Sequence, residues 1–365
     1  MRGRVVHIDI AKGISIVLVA MFHSNLKFSV PELIEPMSLF RMPLFLVLSG
    51  VFFSCSLPPK QFFFKKADSL LKPYFFVLTA ALLFYMAVDG DVTLWKLKGI
   101  FYGNGDTIQW DWVPLWFLTH LFALYVFVYF LYSHFHFDRL EKGKQLTVLL
   151  VFMSVGTLTL DVFWYVEVSV FGRSLSLPGL PFSIDIILIS ATYFILGAML
   201  RERIARFSPN TLMLVLATVV FVAITLFTDA HTDLNKRVYD SPLYAFFGAA
   251  AGIYGVLTLS WYCAKIKWLG DVFLALGQAS LFIMIFHVFT GYWIYSILTE
   301  GTTDKINLFV MAVIACLLSI VIPLLIKRIV ERSALLSLAF FPFRSNHLLR
   351  HALRVHRRSK VDASQ

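Results

Sequence analysis

Ten stretches of mostly apolar residues, each roughly twenty long, follow one another with only short links between them. About 20 residues at 1.5 Å rise apiece are what crosses the hydrocarbon core of a bilayer. The stretches lie at roughly 9–28, 37–57, 71–89, 113–133, 145–162, 183–200, 210–229, 243–263, 271–297 and 306–329. The links carry the expected breakers, among them Pro31 with Pro36, Pro58–Pro59, Gly103 to Gly105, Pro178 to Pro181, and Pro209. In lipid every backbone N–H and C=O needs a protein partner, and a helix supplies one within its own segment. The predicted fold is therefore all-α, a polytopic membrane protein with about ten transmembrane helices. Residues 1–330 form the bundle and 331–365 a basic tail.

Composition points the same way. Hydrophobic residues make up 59% of the 365 and charged residues 15%, where a soluble domain carries about a quarter charged. Mean hydropathy is +0.77. Net charge is +10, but the basic residues fall in links between apolar runs, so they read as topology signals and not as a nucleic-acid surface. The links on one side (1–12, 58–72, 134–144, 201–209, 264–270 and the tail from 327) hold 24 of the 32 lysines and arginines. That asymmetry predicts both termini in the cytoplasm. The tail from Ser333 to Gln365 mixes Leu and Phe with Arg and His, a composition suited to lying on anionic membrane lipids.

Soluble chemistry finds no footing here. The sequence has no Walker loop, dinucleotide fingerprint, zinc spacing or GxSxG elbow. Cys55, Cys263 and Cys316 sit in or beside apolar runs without metal-ligand spacing or a disulfide framework. The start of the chain looks like a signal peptide, yet Lys12 interrupts its apolar run and no small-residue cleavage site follows. It reads as an uncleaved first span. Tyr102 to Asp106, with glycines at 103 and 105, reads as an outer-loop turn.

Ionisable and polar groups inside a bilayer cost about 2.5–3.5 kcal/mol each on insertion scales, so each one requires a reason. The candidates are Lys12, His23, Arg41, His120, Asp185 and His287. Lys12 and His23 are separated by three turns plus about 20°, so they share one face of the first span, about 16 Å apart along it. The second span runs back, which brings Arg41 to a depth similar to that of His23. Asp185, near the outer start of the sixth span, lies at reachable depth, though after Ser183 it also suits a helix cap. A histidine can take a proton from a hydroxyl near neutral pH, and a nearby arginine can stabilise an oxyanion or orient an acceptor. The same pair also suits a substrate site in a transporter.

The stretch HIDIAKGISIVLVAMFHSN (His7 to Asn25) resembles the opening span of the membrane-bound acyltransferase-3 family, particularly its branch similar to fucose 4-O-acetylases. In that family a basic residue, ten intervening positions and a histidine mark the first span; here they are Lys12 and His23. FRMPLFLVLSG (Phe40 to Gly50) is similar to the family's second span, and FFFKKADSLLKPY (Phe62 to Tyr74) to the basic stretch after it. PLWFL (Pro114 to Leu118), the span from Asp185 to Gly197, and LGQASLFIMIFH (Leu276 to His287) resemble later landmarks. The family often has Arg at the position of Lys12, and this branch often has His at the position of Arg41.

The resemblance implies transfer of an acyl group, usually from cytoplasmic acetyl-CoA, to a glycan hydroxyl at the bacterial inner membrane. His23 would act as general base with Lys12 and Arg41 beside it in the catalytic set. Lys65, Lys66 and Lys72 would hold the phosphates of CoA as point charges, and Asp185, His120 and His287 would bind the substrate. No metal is implied. The competing expectation is a secondary transporter or flippase for a glycan or organic anion, suggested by the intramembrane charges and by Gly248, Gly252 and Gly255 in the eighth span. Against it, no repeat halves are visible.

Overall fold

The computed structural model describes residues 5–89, 94–170 and 173–343; most of the expected basic tail, from 344 onward, lies outside them. Among the described residues, eight helices are long and apolar enough to cross a membrane: Val6–His23, Pro31–Val51, Pro59–Val88, Trp110–His134, Pro181–Met199, Pro242–Cys263, Ser280–Leu298 and Lys305–Arg332. The chain is an all-α, multi-pass membrane protein. The expected fifth and seventh spans are present as helices, Lys142–Leu158 and Thr211–Phe227, but each has only 17 residues. The first opens on the polar run Lys142–Gly143–Lys144, and the second starts late, behind Pro209 and the capping Asn210, whose Oδ1 accepts from the Met213 N–H at 3.0 Å. The expected ninth span divides at Ala279 into Lys267–Gln278 and Ser280–Leu298. Its first part carries Lys267, Asp271 and Gln278 among apolar residues, a mixed surface that suits a membrane interface better than hydrocarbon.

The first two spans sit at the centre. Val6–His23 packs against Lys267–Gln278, Pro242–Cys263 and Ser280–Leu298, while Ser38–Val51 packs against Ile187–Met199 and Pro242–Cys263. Small residues set these distances, as lipid-embedded helices require for close van der Waals contact. A Cβ on Gly50 would lie 1.8 Å from the Phe194 carbonyl oxygen, and one on Gly197 would lie 2.1 Å from that of Val47. The end of the second helix is closed by Arg201, whose Nε donates to the Val51 carbonyl at 2.7 Å and whose Nη2 donates to that of Phe53. A cation there satisfies carbonyls that the helix leaves open and complements its dipole.

Two departures from regular helix matter later. Residues Ala67–Leu71 form a π-helical turn, next to Pro73, whose ring removes one N–H from the helical ladder. Outside the bundle, Trp164–Val170 pairs antiparallel with Arg173–Pro178, and Thr232–Asp233 pairs with Val238–Tyr239. The alternation in WYVEVSV carries the strand period of two.

Candidate active site

His23 closes the first helix, and its ring centroid lies 5.4 Å from that of His287, edge-on at 62°. His287 is 2% exposed. Its Nδ1 lies 2.7 Å from the Ile283 carbonyl oxygen and 3.1 Å from that of Met284, so Nδ1 carries the proton and donates. Nε2 is thereby left with a lone pair, and it is buried without a hydrogen-bond partner. Arg41, one helix away, is 4% exposed and lays its guanidinium on the Phe22 ring, 3.4 Å from the centroid. Its Nη1 is also buried and unpartnered. A buried polar atom without a partner costs about 1–3 kcal/mol, so each of these two orphans requires a reason.

His23 and Arg41 border a small cavity of about 80 Å³. They line it together with Phe45, Trp116, Asp233 and Asn235. The depth match expected for His23 and Arg41 is realised: both face one space. His287 stands behind His23 and contributes through it.

The other sequence candidates lie elsewhere. His120 is wholly buried, with Nδ1 3.1 Å from the Ser183 carbonyl and Nε2 2.8 Å from Ser190 Oγ. Both of its nitrogens are occupied, and its ring packs beside Trp116, a wall of the cavity, at 5.7 Å. Asp185 forms a bidentate ion pair with Arg237, at 2.7 Å to Nε and 3.0 Å to Nη2, with both side chains at 0% exposure. Its Oδ1 also accepts from the Leu180 N–H at 3.1 Å. The pair is closed over by Trp164, 4.4 Å from the guanidinium, and by Tyr102, whose hydroxyl donates to the Gly179 carbonyl. Burial, and then the charge of Asp185, hold the Tyr102 phenol above its ordinary pKa, so it remains a donor.

Lys12 lies at the far end of the first helix. It reaches Asp9 at 3.3 Å and sits 3.8 Å above the Phe52 ring. At that same, lysine-rich end, Lys60, Lys65, Lys66 and Lys72 line a cavity of about 1040 Å³ beside the π-helical turn. Lys72 is held by Asp68 at 2.6 Å and donates to the Phe341 carbonyl at 2.8 Å. Lys66 sits 3.2 Å over the Tyr125 ring. The three predicted donor-binding lysines are thus gathered in one space, separate from the histidines.

Sequence reasoning missed Asp233, Asn235 and Arg237. The signal is the density of polar residues in HTDLNKRVYD (His231 to Asp240), between the expected seventh and eighth spans.

Membrane-crossing helices around a half-buried histidine, a buried histidine and a buried arginine define a class: multi-pass integral membrane proteins with a polar cavity inside the bundle. The chain belongs to the acyltransferase-3 family, whose model, described as an acyltransferase domain, matches residues 5–328. It is therefore a membrane acyltransferase. No curated protein and no solved structure matches the chain significantly.

Proposed function

We propose that this protein moves an acetyl group from acetyl-CoA to a hydroxyl of a cell-surface or lipid-linked carbohydrate, in the bacterial inner membrane. The observation that carries the reading is that His23 and Arg41, whose Nη1 is orphaned, line one cavity, with the orphaned Nε2 of His287 on the ring next to His23. Acyl transfer to a hydroxyl needs a base to take the hydroxyl proton and a donor to meet the oxyanion. Both are present in that cavity, and the family supplies the reaction class.

The chemistry follows from these groups. A ring nitrogen of His23 takes the proton as the acceptor oxygen attacks the acetyl carbonyl carbon. The carbonyl π pair moves onto oxygen, and Arg41 Nη1–H donates to that oxyanion. When the carbonyl re-forms, the C–S bond breaks, and the departing CoA thiolate recovers the proton from the His23 imidazolium. His287 offers its Nε2 lone pair to the other N–H of His23. At 5.4 Å between centroids, imidazole nitrogens turned toward each other approach to about 3.1 Å, still within hydrogen-bond range. That bond would fix the His23 tautomer and stabilise its charged form, as the orienting partner of a catalytic base does.

The lysine-lined cavity is the donor site in this reading. Its ammonium groups meet the CoA phosphates as point charges, and its volume of about 1040 Å³ exceeds what a small anion requires. From there the thioester arm passes along the first helix, guided by Lys12, toward His23. The acceptor approaches from the opposite face. Mass spectrometry of surface polysaccharide, from cells carrying the wild-type gene, no gene or the His23→Ala gene, tests the proposal. Acetyl increments should appear only with the wild type while the variant still accumulates in the membrane. Normal acetylation by His23→Ala would refute the catalytic assignment.

A further inference from the structure

The segment from Thr232 to Tyr239 roofs the His23 cavity and is held more firmly than a connecting loop needs to be. Its ends pair as short strands, Thr232 with Tyr239 and Asp233 with Val238. Asp233 Oδ1 accepts from the N–H groups of Asn235 and Lys236 at 3.1 and 3.3 Å, tying off the turn. Arg237, at a left-handed φ of 56°, is locked by the buried Asp185 pair, and its Nη1 donates to the Asn235 carbonyl at 2.7 Å. Lys236 Nζ bonds Asp106 Oδ1 at 2.6 Å, and Ser38 Oγ lies 3.2 Å from His231 Nδ1. Every polar side chain from Asp233 to Arg237 thus has a visible task except that of Asn235, whose Oδ1 is buried without a partner.

Asn235 and Asp233 both line the cavity that holds His23 and Arg41. Asp233 shares this lining with Arg41, and no ion pair joins them among the described residues. The Asn235 amide is pressed against Gly105, where an added Cβ would lie 1.8 Å from Oδ1, so its position depends on a missing side chain. A carboxylate and an amide fixed on a rigid loop opposite aromatic walls (Phe45, Trp116 and Phe117) are the complement of a sugar ring, with polar edges and apolar C–H faces.

We propose that Asp233 and Asn235 form the acceptor subsite, binding ring hydroxyls adjacent to the one that His23 deprotonates, with the Asp185–Arg237 ion pair positioning the loop. This rests on the acyltransferase reading above and specifies its substrate class as a polyhydroxylated ring. Asp233 Oδ2 and Asn235 Oδ1 accept hydrogen bonds from hydroxyls that cyclohexanol, a six-membered ring with a single hydroxyl, does not have.

The test uses the full chain in nanodiscs with radiolabelled acetyl-CoA. The acceptors are the methyl glycosides of glucose, galactose, mannose and fucose, with cyclohexanol as the single-hydroxyl control. The wild type should acetylate at least one glycoside in preference to cyclohexanol. Asn235→Ala should raise the acceptor KM about tenfold, the worth of one buried hydrogen bond, with the acetyl-CoA KM and cyclohexanol transfer unchanged. Asp233→Asn, which keeps an oxygen for the turn, and Gly105→Ala, which displaces the amide, should move the same parameter in the same direction. An unchanged acceptor KM in Asn235→Ala and Gly105→Ala overturns the subsite, as does a parallel rise in donor and acceptor KM. A wild type that acetylates no glycoside overturns the proposed carbohydrate acetylation and the subsite together, whereas failure of the subsite alone leaves wild-type transfer intact.

Discussion

Two cavities of this bundle, one beside His23 and one lined by lysines, treat polar side chains in opposite ways. At the histidine end, polar atoms are buried and several are left without partners: His287 Nε2, Arg41 Nη1 and Asn235 Oδ1. At the lysine end, Lys66 lies on the Tyr125 ring, Lys72 is held by Asp68 and the Phe341 carbonyl, and Lys65 is exposed. A chamber that must meet a developing oxyanion and a moving proton gains from donors and acceptors held in place and not yet engaged. A site that holds a large, soluble polyanion needs only accumulated charge near water. In the proposed function, that difference separates the place of chemistry from the place of donor capture.

The largest effect should fall on the histidine end. His23→Ala should lower transfer by about 10²–10⁴, the usual contribution of a positioned base, with acetyl-CoA binding retained; the check is single-turnover transfer beside equilibrium donor binding. A loss of donor binding instead would erase the distinction between the cavities. Next comes the buried pair behind the acceptor loop. Asp185→Ala strands the Arg237 charge at 0% exposure and should cost about 3–5 kcal/mol of stability, read by thermal or denaturant unfolding in detergent. A neutral outcome would show that the loop does not depend on this pair.

Arg41→Gln should reduce kcat about 10²-fold with little change in either KM, as removal of an oxyanion donor does. Arg41→Lys should recover only part of that, because a point charge replaces a planar fork. At the lysine end, Lys65→Ala with Lys66→Ala should raise the acetyl-CoA KM about tenfold, and the difference should shrink as salt rises, because exposed charges are screened within about 8–10 Å. An equal effect on the acceptor would blur the comparison. Smallest is Lys12→Ala, a loss of a few fold that Lys12→Arg should restore if charge is what guides the donor arm. Steady-state kinetics in nanodiscs decides each of these.

Much of this architecture was legible in the chain because it is written locally. Apolar run length reports a span directly, and every expected span has a helix behind it. The break at Ala279 and the short helices Lys142–Leu158 and Thr211–Phe227 were obscured because a sum over hydrophobicity does not show where a helix turns or starts late. The meeting of His23 with Arg41 could be anticipated from depth along two adjacent spans. That of His23 with His287 could not, since it depends on packing between helices far apart in sequence. Asp185 looked like a candidate because an acid near a bilayer is costly; its partner Arg237 lies 52 residues away, and only the folded chain brings them together. Asn235 showed only as one polar residue in a polar link, for its importance lies in an unmet hydrogen bond.

One measurement reaches the division of labour itself. In proteoliposomes with the protein in one orientation, acetyl-CoA is supplied only at the lysine face and an accepted glycoside only at the histidine face. Acetylated glycoside should form with wild-type protein and not with His23→Ala. Product that appears only when both substrates share a face, or that forms equally without His23, would contradict a donor captured at one end and a proton taken at the other.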